Sequence, residues 1–223
     1  EKGDGILETV DSGGIIAWVI VGLGVLGLVL SLLRGFFLKG ASARTAEITR
    51  RIGDWVQRGE VDHALEYCKQ RPSAICRVAS ATLRNLDRDR SHLEDIISES
   101  ILHESSHLDR FGSFILVIAA VSPLLGLLGT VTGMISTFDV ITEHGTGDPK
   151  LLSGGISVAL ITTEIGLIVA VPTLLIGNLL SGWAERIKND METAALRITN
   201  LSEDAKSDDA GGVSYLQPQA TRA

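Results

Sequence analysis

An all-α integral membrane protein with three transmembrane helices is the fold that this 223-residue sequence predicts, and three observations predict it. Residues 111–138 hold 28 consecutive positions without a charge, residues 151–184 hold 34 with Glu164 as their only charge, and residues 15–33 hold 19 with none. At about 1.5 Å per helical residue the two longer runs exceed the ~30 Å hydrocarbon core of a bilayer, and the shortest nearly matches it. The second and third helices are expected to extend into the cytoplasm, beside a small helical cytoplasmic region.

The first helix, residues 15–33 (IIAWVIVGLGVLGLVLSLL), follows Gly13 and Gly14, carries Trp18 near its start and is followed by Arg34 and Lys39. An interfacial aromatic at one end and basic residues at the other fit a helix anchored by its flanks. A secretory signal would place basic residues before the apolar run and small ones after it, which this segment does not do. Residue 1 is Glu rather than Met, so a cleavage or other boundary is expected upstream.

Orientation follows from Lys and Arg. Residues 34–110 hold 13 of the 20 basic residues and the chain after residue 180 holds 5, whereas residues 1–14 and 139–150 hold one each against four and three acids. By the positive-inside rule, residues 34–110 and the C-terminus are cytoplasmic, and the N-terminus and the 139–150 turn lie on the other side. The formal charge of −7 is spread over both faces and is no nucleic-acid footprint. The expected order is a non-cytoplasmic segment 1–14, helix 15–33, cytoplasmic helical region 34–110, helix 111–138, non-cytoplasmic turn 139–153, helix 154–180, cytoplasmic helix 181–203 and a disordered tail 204–223.

Within 34–110, Ile48, Ile52, Trp55 and Val56, then Val61, Ala64, Leu65 and Cys68, recur at three- and four-residue steps, the mark of amphipathic helices broken at Gly59 and Pro72. Leu93, Ile96, Ile97, Ser100, Ile101, Glu104 and Leu108 continue that period, so one long helix is expected to run into the second span near Phe111. Some 75 residues in a few helices make a weak core alone, and packing against neighbouring copies is expected. The polar tail, with Gly and Pro and no apolar period, fits disorder. Cys68 and Cys76 have neither disulfide nor zinc-knuckle spacing and are expected to be two buried thiols.

His103-Glu104-Ser105-Ser106-His107 matches H-E-x-x-H, which on a helix can hold zinc with a glutamate base. Such a site needs a third ligand and an open water position. Residues 111–138 contain no His, Asp, Glu or Cys, and the position six after His107 is Ser113. His103, Glu104 and His107 are therefore expected on a solvated helix face, with no metal, no cofactor, no catalytic residue and no enzyme.

The chemistry that remains lies in the second and third helices. Ala119, Ser122, Gly126, Gly129, Gly133 and Ser136 form one small-residue stripe, and Ala159, Thr163, Gly166, Ala170, Thr173 and Gly177 another. Such stripes permit close helix packing, in which Gly126, Gly129, Gly133 and Gly166 are expected to serve; because a monomer was expected to have no use for them, they point to a ring of subunits. Thr130, Thr132, Thr137, Thr162, Thr163 and Thr173 suggest a polar, partly hydrated path. Pro123 and Pro172 each remove a backbone donor and are expected to kink their helices, as a pathway or hinge would use.

The segments SPLLGLLGTVTGMISTF (122–138) and GGISVALITTEIGLIVAVP (154–172) resemble the two signature helices of the MotA/TolQ/ExbB proton-channel family, most closely its ExbB branch. The string P-x-x-G-L-x-G-T-V-x-G carries the resemblance, which extends over the three spans, their order and the segment GEVDHALEYCKQRPSAICRVASATL. The resemblance implies a subunit of a proton channel or motor in the bacterial inner membrane, N-terminus periplasmic and C-terminus cytoplasmic. It further implies a homopentamer around an ExbD-type dimer of single-span proteins, membrane lipid around it, and a TonB-type protein energised for outer-membrane transport. Thr130 and Thr163 then surround the partner's proton-carrying aspartate, with Glu164 and Thr137 also lining the pathway. The sequence departs from the pattern at Val158, where many relatives carry glutamate; Glu164, six residues on, is turned about 120° from that face. A carboxylate in hydrocarbon must face a pore, a subunit contact or a cation, or be protonated, so Glu164 either lines the pathway or fixes helix packing. A TolQ-like or flagellar-stator-like motor subunit, an assembly scaffold and an H-E-x-x-H membrane metallopeptidase are the alternatives.

Overall fold

The computed structural model describes residues 5–42, 45–71, 73–145 and 149–214, and every regular element among them is an α-helix. In chain order these are α1 (Ile6–Ser12), α2 (Gly14–Ala41), α3 (Thr45–Gln57), α4 (Val61–Lys69), α5 (Ala74–Leu83), α6 (Arg90–Leu108), α7 (Gly112–His144) and α8 (Pro149–Ser214). Three stretches are long and apolar enough to cross a membrane: Gly14–Ala41, Gly112–Glu143 and a part of α8 within Ser153–Ala205. The chain divides into two compact units, Glu1–Phe36 with Asp109–Gly182, and Phe37–Leu108 with Trp183–Ala223.

The first unit is built from α1, most of α2, α7 and the first part of α8. Its buried apolar centre is small, with Val10, Ala17, Ile20 and Ile165 backed by Ile16, Leu125 and Val169. Most large apolar side chains point outward instead, among them Leu32 at 67%, Leu128 at 49% and Leu179 at 72% exposure. That inside-out distribution suits lipid or neighbouring helices rather than water. Glycines set the approach of α2 to its neighbours: a Cβ on Gly24 would lie 2.9 Å from Val169 Cγ2, and one on Gly27 3.3 Å from Thr173 Cγ2. Both α7 and α8 run on through Pro123 and Pro172, so neither proline ends its helix.

The long helix expected through residue 111 is two helices. Phe111 takes a left-handed conformation (φ 65°) between α6 and α7, which a non-glycine residue adopts only where its surroundings enforce it. Gly112, the next residue, is itself closely packed. A Cβ there would lie 2.5–2.8 Å from the guanidinium of Arg34, which is 2% exposed, donates to Ser181 Oγ at 3.2 Å and lies 3.9 Å from Asp109. The apolar period carries across this corner without a proline, which is why periodicity alone reads it as continuous.

The second unit has a conventional core. Ile48, Ile52 and Val56 of α3, Ala64 and Cys68 of α4, Leu93 and Ile97 of α6, and most of α5 are buried in it. Ser73 caps α5, its hydroxyl accepting from the Cys76 amide at 3.3 Å, and Gly59 (φ +75°) turns the chain out of α3. Pro72, the other expected breaker, lies outside the described residues. Ala184, Ile187, Met191, Ala194 and Ile198 of α8 supply a further wall of this core within the same chain. The tail expected to be disordered from residue 204 is helical to Ser214, and residues 215–223 lie outside the described residues.

Candidate functional site

The two small-residue stripes face each other within one chain, which corrects the expectation that a monomer has no use for them. A Cβ on Gly126 would lie 3.0 Å from Thr162 O, one on Gly133 2.5 Å from Gly155 O, and one on Gly166 2.9 Å from Ser122 O. A Cβ on Gly129 would overlap Thr162 Oγ1 and fall 2.4 Å from Thr162 Cβ. At these positions only glycine lets α7 and α8 come so close. The close approach creates a polar contact across the helices, Thr163 Oγ1 to Gly126 O at 3.3 Å.

The threonines divide into two groups. Thr137, Thr162 and Thr173 are buried, at 6%, 0% and 7% exposure. Thr137 sits in the helix packing: its Oγ1 occupies the space that a Cβ on Gly155 would need. Thr130 and Thr163 are half-buried, and Thr130 lies one helical turn beyond Gly126, on the α7 side that meets Thr163. Glu164, the next residue on α8, is exposed and has no side-chain hydrogen bond or ion pair among the described residues.

Every one of these hydroxyls has a backbone carbonyl to donate to. Thr130 donates to Leu127 O at 2.6 Å, Thr137 to Gly133 O at 2.9 Å and Thr173 to Val169 O at 2.7 Å. Thr163 has Ala159 O at 3.1 Å as the alternative to Gly126 O, and Thr162 has Val158 O at 2.9 Å and Ala159 O at 3.0 Å. A hydroxyl has one proton and two lone pairs, so toward any further group these oxygens act as acceptors. Half-buried Thr130 and Thr163 therefore present acceptor oxygens, and exposed Glu164 follows Thr163 in the chain.

The H-E-x-x-H residues are arranged differently from expectation. His103 and His107 are exposed, their rings edge to face at 5.6 Å, but Glu104 is buried at 5%. Its carboxylate accepts from Arg77 Nε and Nη2, both at 2.5 Å, across α5 and α6, and this holds the Arg77 guanidinium above its ordinary pKa. The glutamate thus follows the apolar period of α6 and ties two helices together. Among the described residues no group of three or more His, Cys, Asp and Glu is placed to hold a metal ion. Sequence reasoning missed this ion pair and the Arg34–Gly112 contact, because both join residues far apart in the chain.

Comparison with known proteins gives the same direction. Residues 70–193 match the family model described as the MotA/TolQ/ExbB proton channel family. The chain is 30% identical over 198 residues to a putative biopolymer transport protein ExbB homolog of Methanothermobacter thermautotrophicus, covering 87% of this chain and 69% of that protein. It is 34% identical over 164 residues to the biopolymer transport protein exbB1 of Vibrio cholerae, covering 66% and 71%. A solved structure of C. jejuni MotAB superposes with a TM-score of 0.63 over 94% of this chain and 86% of that one, at 13% identity, which is a likeness of fold. Three spanning-length helices, a glycine-packed pair carrying half-buried threonines, and a family match across more than half of the sequence establish that this chain is a multi-pass membrane protein belonging to the MotA/TolQ/ExbB proton channel family.

Proposed function

We propose that this chain is the channel subunit of a proton-driven motor in the bacterial inner membrane, working as a homopentamer around an ExbD-type dimer and energising a TonB-type protein for outer-membrane transport. The N-terminus is then periplasmic and the C-terminus cytoplasmic. The observation that carries this reading is the polarity of Thr130 and Thr163. With their protons directed at backbone carbonyls, their oxygens favour a neighbour that donates. A partner aspartate can donate only when protonated, so these threonines would stabilise its neutral, proton-carrying state within the membrane. Glu164 adds a charge beside them, facing out of the chain toward a pore or a subunit contact. Thr137, buried against α8, supports the geometry of the pair rather than touching the ion.

Thr163→Val tests this. It keeps the shape and removes the hydroxyl, so the complex should assemble in normal yield while growth or uptake dependent on the proton gradient falls sharply. Full activity with Val at this position would remove the central claim. Purification of the chain with its bound proteins is the parallel test of the partner: an ExbD-type single-span protein is expected, and recovery of a Tol-Pal or flagellar component instead would assign the chain to another motor.

A further inference from the structure

His103 and His107 are the part of the H-E-x-x-H string that the Glu104–Arg77 pair leaves unused. Both are exposed, they stand one turn apart on α6, and their ring centres are 5.6 Å from each other at an interplanar angle of 67°. We propose that this pair is a surface site for one divalent ion of the zinc type, held by the two imidazoles and completed by water.

The spacing is close to what a single ion requires. With Zn–N bonds of about 2.0–2.1 Å, each ring centre lies about 3.2 Å from the metal, so two imidazoles at a tetrahedral angle have centres about 5.2 Å apart. The observed separation is larger by only about 0.4 Å, which a small rotation about the side-chain bonds removes. A right-angled arrangement would need the centres at about 4.5 Å, so the pair suits a tetrahedral ion better than a square-planar or octahedral one. The helix backbone itself sets the i, i+4 spacing, and little order remains to be imposed when the ion arrives.

The surroundings complete the site. His103 Nδ1 lies 4.0 Å from Glu104 Oε1. A metal-bound imidazole typically directs its other N–H at a carboxylate, which fixes the ring and makes the ligating nitrogen more basic. Glu104 suits that role because Arg77 holds it in place from α5 and each of its oxygens keeps a spare lone pair. His103 then binds through Nε2, and Glu104 orients without ligating. Both imidazoles and Arg77 line a cavity of about 700 Å³, which has room for the waters in the ion's other two positions. A peptidase centre needs a third protein ligand, and a surface site does not. Two ligands and two open positions make the ion exchangeable, unlike the closed four-ligand structural sites. When bound, it ties successive turns of α6 beside the Glu104–Arg77 link to α5. This inference does not rest on the proposed motor function.

The test uses the full chain without a histidine tag, stripped of metal, returned to chelator-free detergent with lipid and titrated with zinc chloride in a calorimeter. One saturable equivalent per chain is expected. Losing a mere supporting partner of a ligand costs about 10–100-fold in metal affinity, so His103→Ala and His107→Ala should each weaken binding by about tenfold or more. His92→Ala, which removes another exposed histidine of the same helix, should leave it unchanged. Because all three side chains are exposed, each variant is expected to fold. The thermal unfolding midpoint should rise with zinc concentration in the native chain and stay fixed over that range in either ligand variant. Uptake that survives loss of both imidazoles, as binding by the thiols of Cys68 and Cys76 would, overturns the proposal. So does an equal loss with His92→Ala, or no saturable uptake by the native chain below about 1 mM zinc.

Discussion

Replacing Gly129 with Ala should loosen the α7–α8 pair by a predictable amount. The added methyl would fall 2.4 Å from Thr162 Cβ and closer still to its hydroxyl, whereas ordinary contact begins near 3.4 Å, so the helices must part by about 1 Å locally. Thr162 is fully buried and its hydroxyl has two carbonyls within 3.0 Å, so it has no free rotamer into which to retreat. Overpacking of this kind costs about 1–3 kcal/mol. The same displacement stretches the 3.3 Å contact from Thr163 to Gly126 O beyond hydrogen-bonding range, a further loss on the order of 0.5–1 kcal/mol. A total of about 2–4 kcal/mol would be read as a fall in reversible unfolding free energy of the full chain in mixed micelles. Adding Thr162→Gly removes the three nearest atoms that the methyl meets, so Gly129→Ala should cost much less in a Thr162→Gly background than in the native chain. An unchanged stability for Gly129→Ala, or an equal cost in the Thr162→Gly background, would refute the close approach.

Other consequences are open to measurement. Glu164→Gln keeps a hydrogen-bonding group without charge: if Glu164 lines the pathway, proton-driven work should fall with normal complex yield, and if it fixes packing only Glu164→Leu should matter, through a lower yield. Arg77→Ala leaves the buried Glu104 carboxylate without its fork and should lower stability by about 1–3 kcal/mol, less than for a fully buried pair because Arg77 is 51% exposed. Because Glu104 raises the Arg77 pKa, that contribution is complete below the unfolded value and is lost only as pH rises through the folded one; it should not vary between pH 6 and 9. Gly112→Ala should destabilise the isolated chain by about 1–3 kcal/mol by displacing the Arg34 guanidinium, while Gly154→Ala, with open space at its Cβ, should stabilise it by about 0.5–1 kcal/mol. Equal effects at the two glycines would show that Arg34 is not seated as described.

The three membrane helices were legible because hydrocarbon imposes one demand on every residue in a long run, and composition alone records it. The amphipathic helices α3 and α4 were legible for a related reason, since Ile48, Ile52 and Val56 share one face at a fixed step. What periodicity does not record is which face meets which. The glycine stripes could be read as contact surfaces, but not as surfaces for each other, since that depends on how α7 and α8 pair in space. The break at Phe111 escaped because no proline or other breaker marks it, and the close approach of Arg34 to Gly112 escaped because those residues lie more than seventy positions apart. Glu104 looked like half of a metal motif because the three-residue spacing to His107 is visible in the chain, whereas its partner, Arg77, is not.

Exposed Glu164 bears on how such a protein is made as well as on how it works. A charged side chain at the centre of a helix entering the bilayer costs on the order of 3 kcal/mol, and the leucines, isoleucines and valines around it return about 0.3–0.6 kcal/mol each. The surplus of such residues in residues 154–180 is enough for insertion to proceed. Each newly inserted copy nevertheless carries an unmatched carboxylate at membrane depth until something covers it.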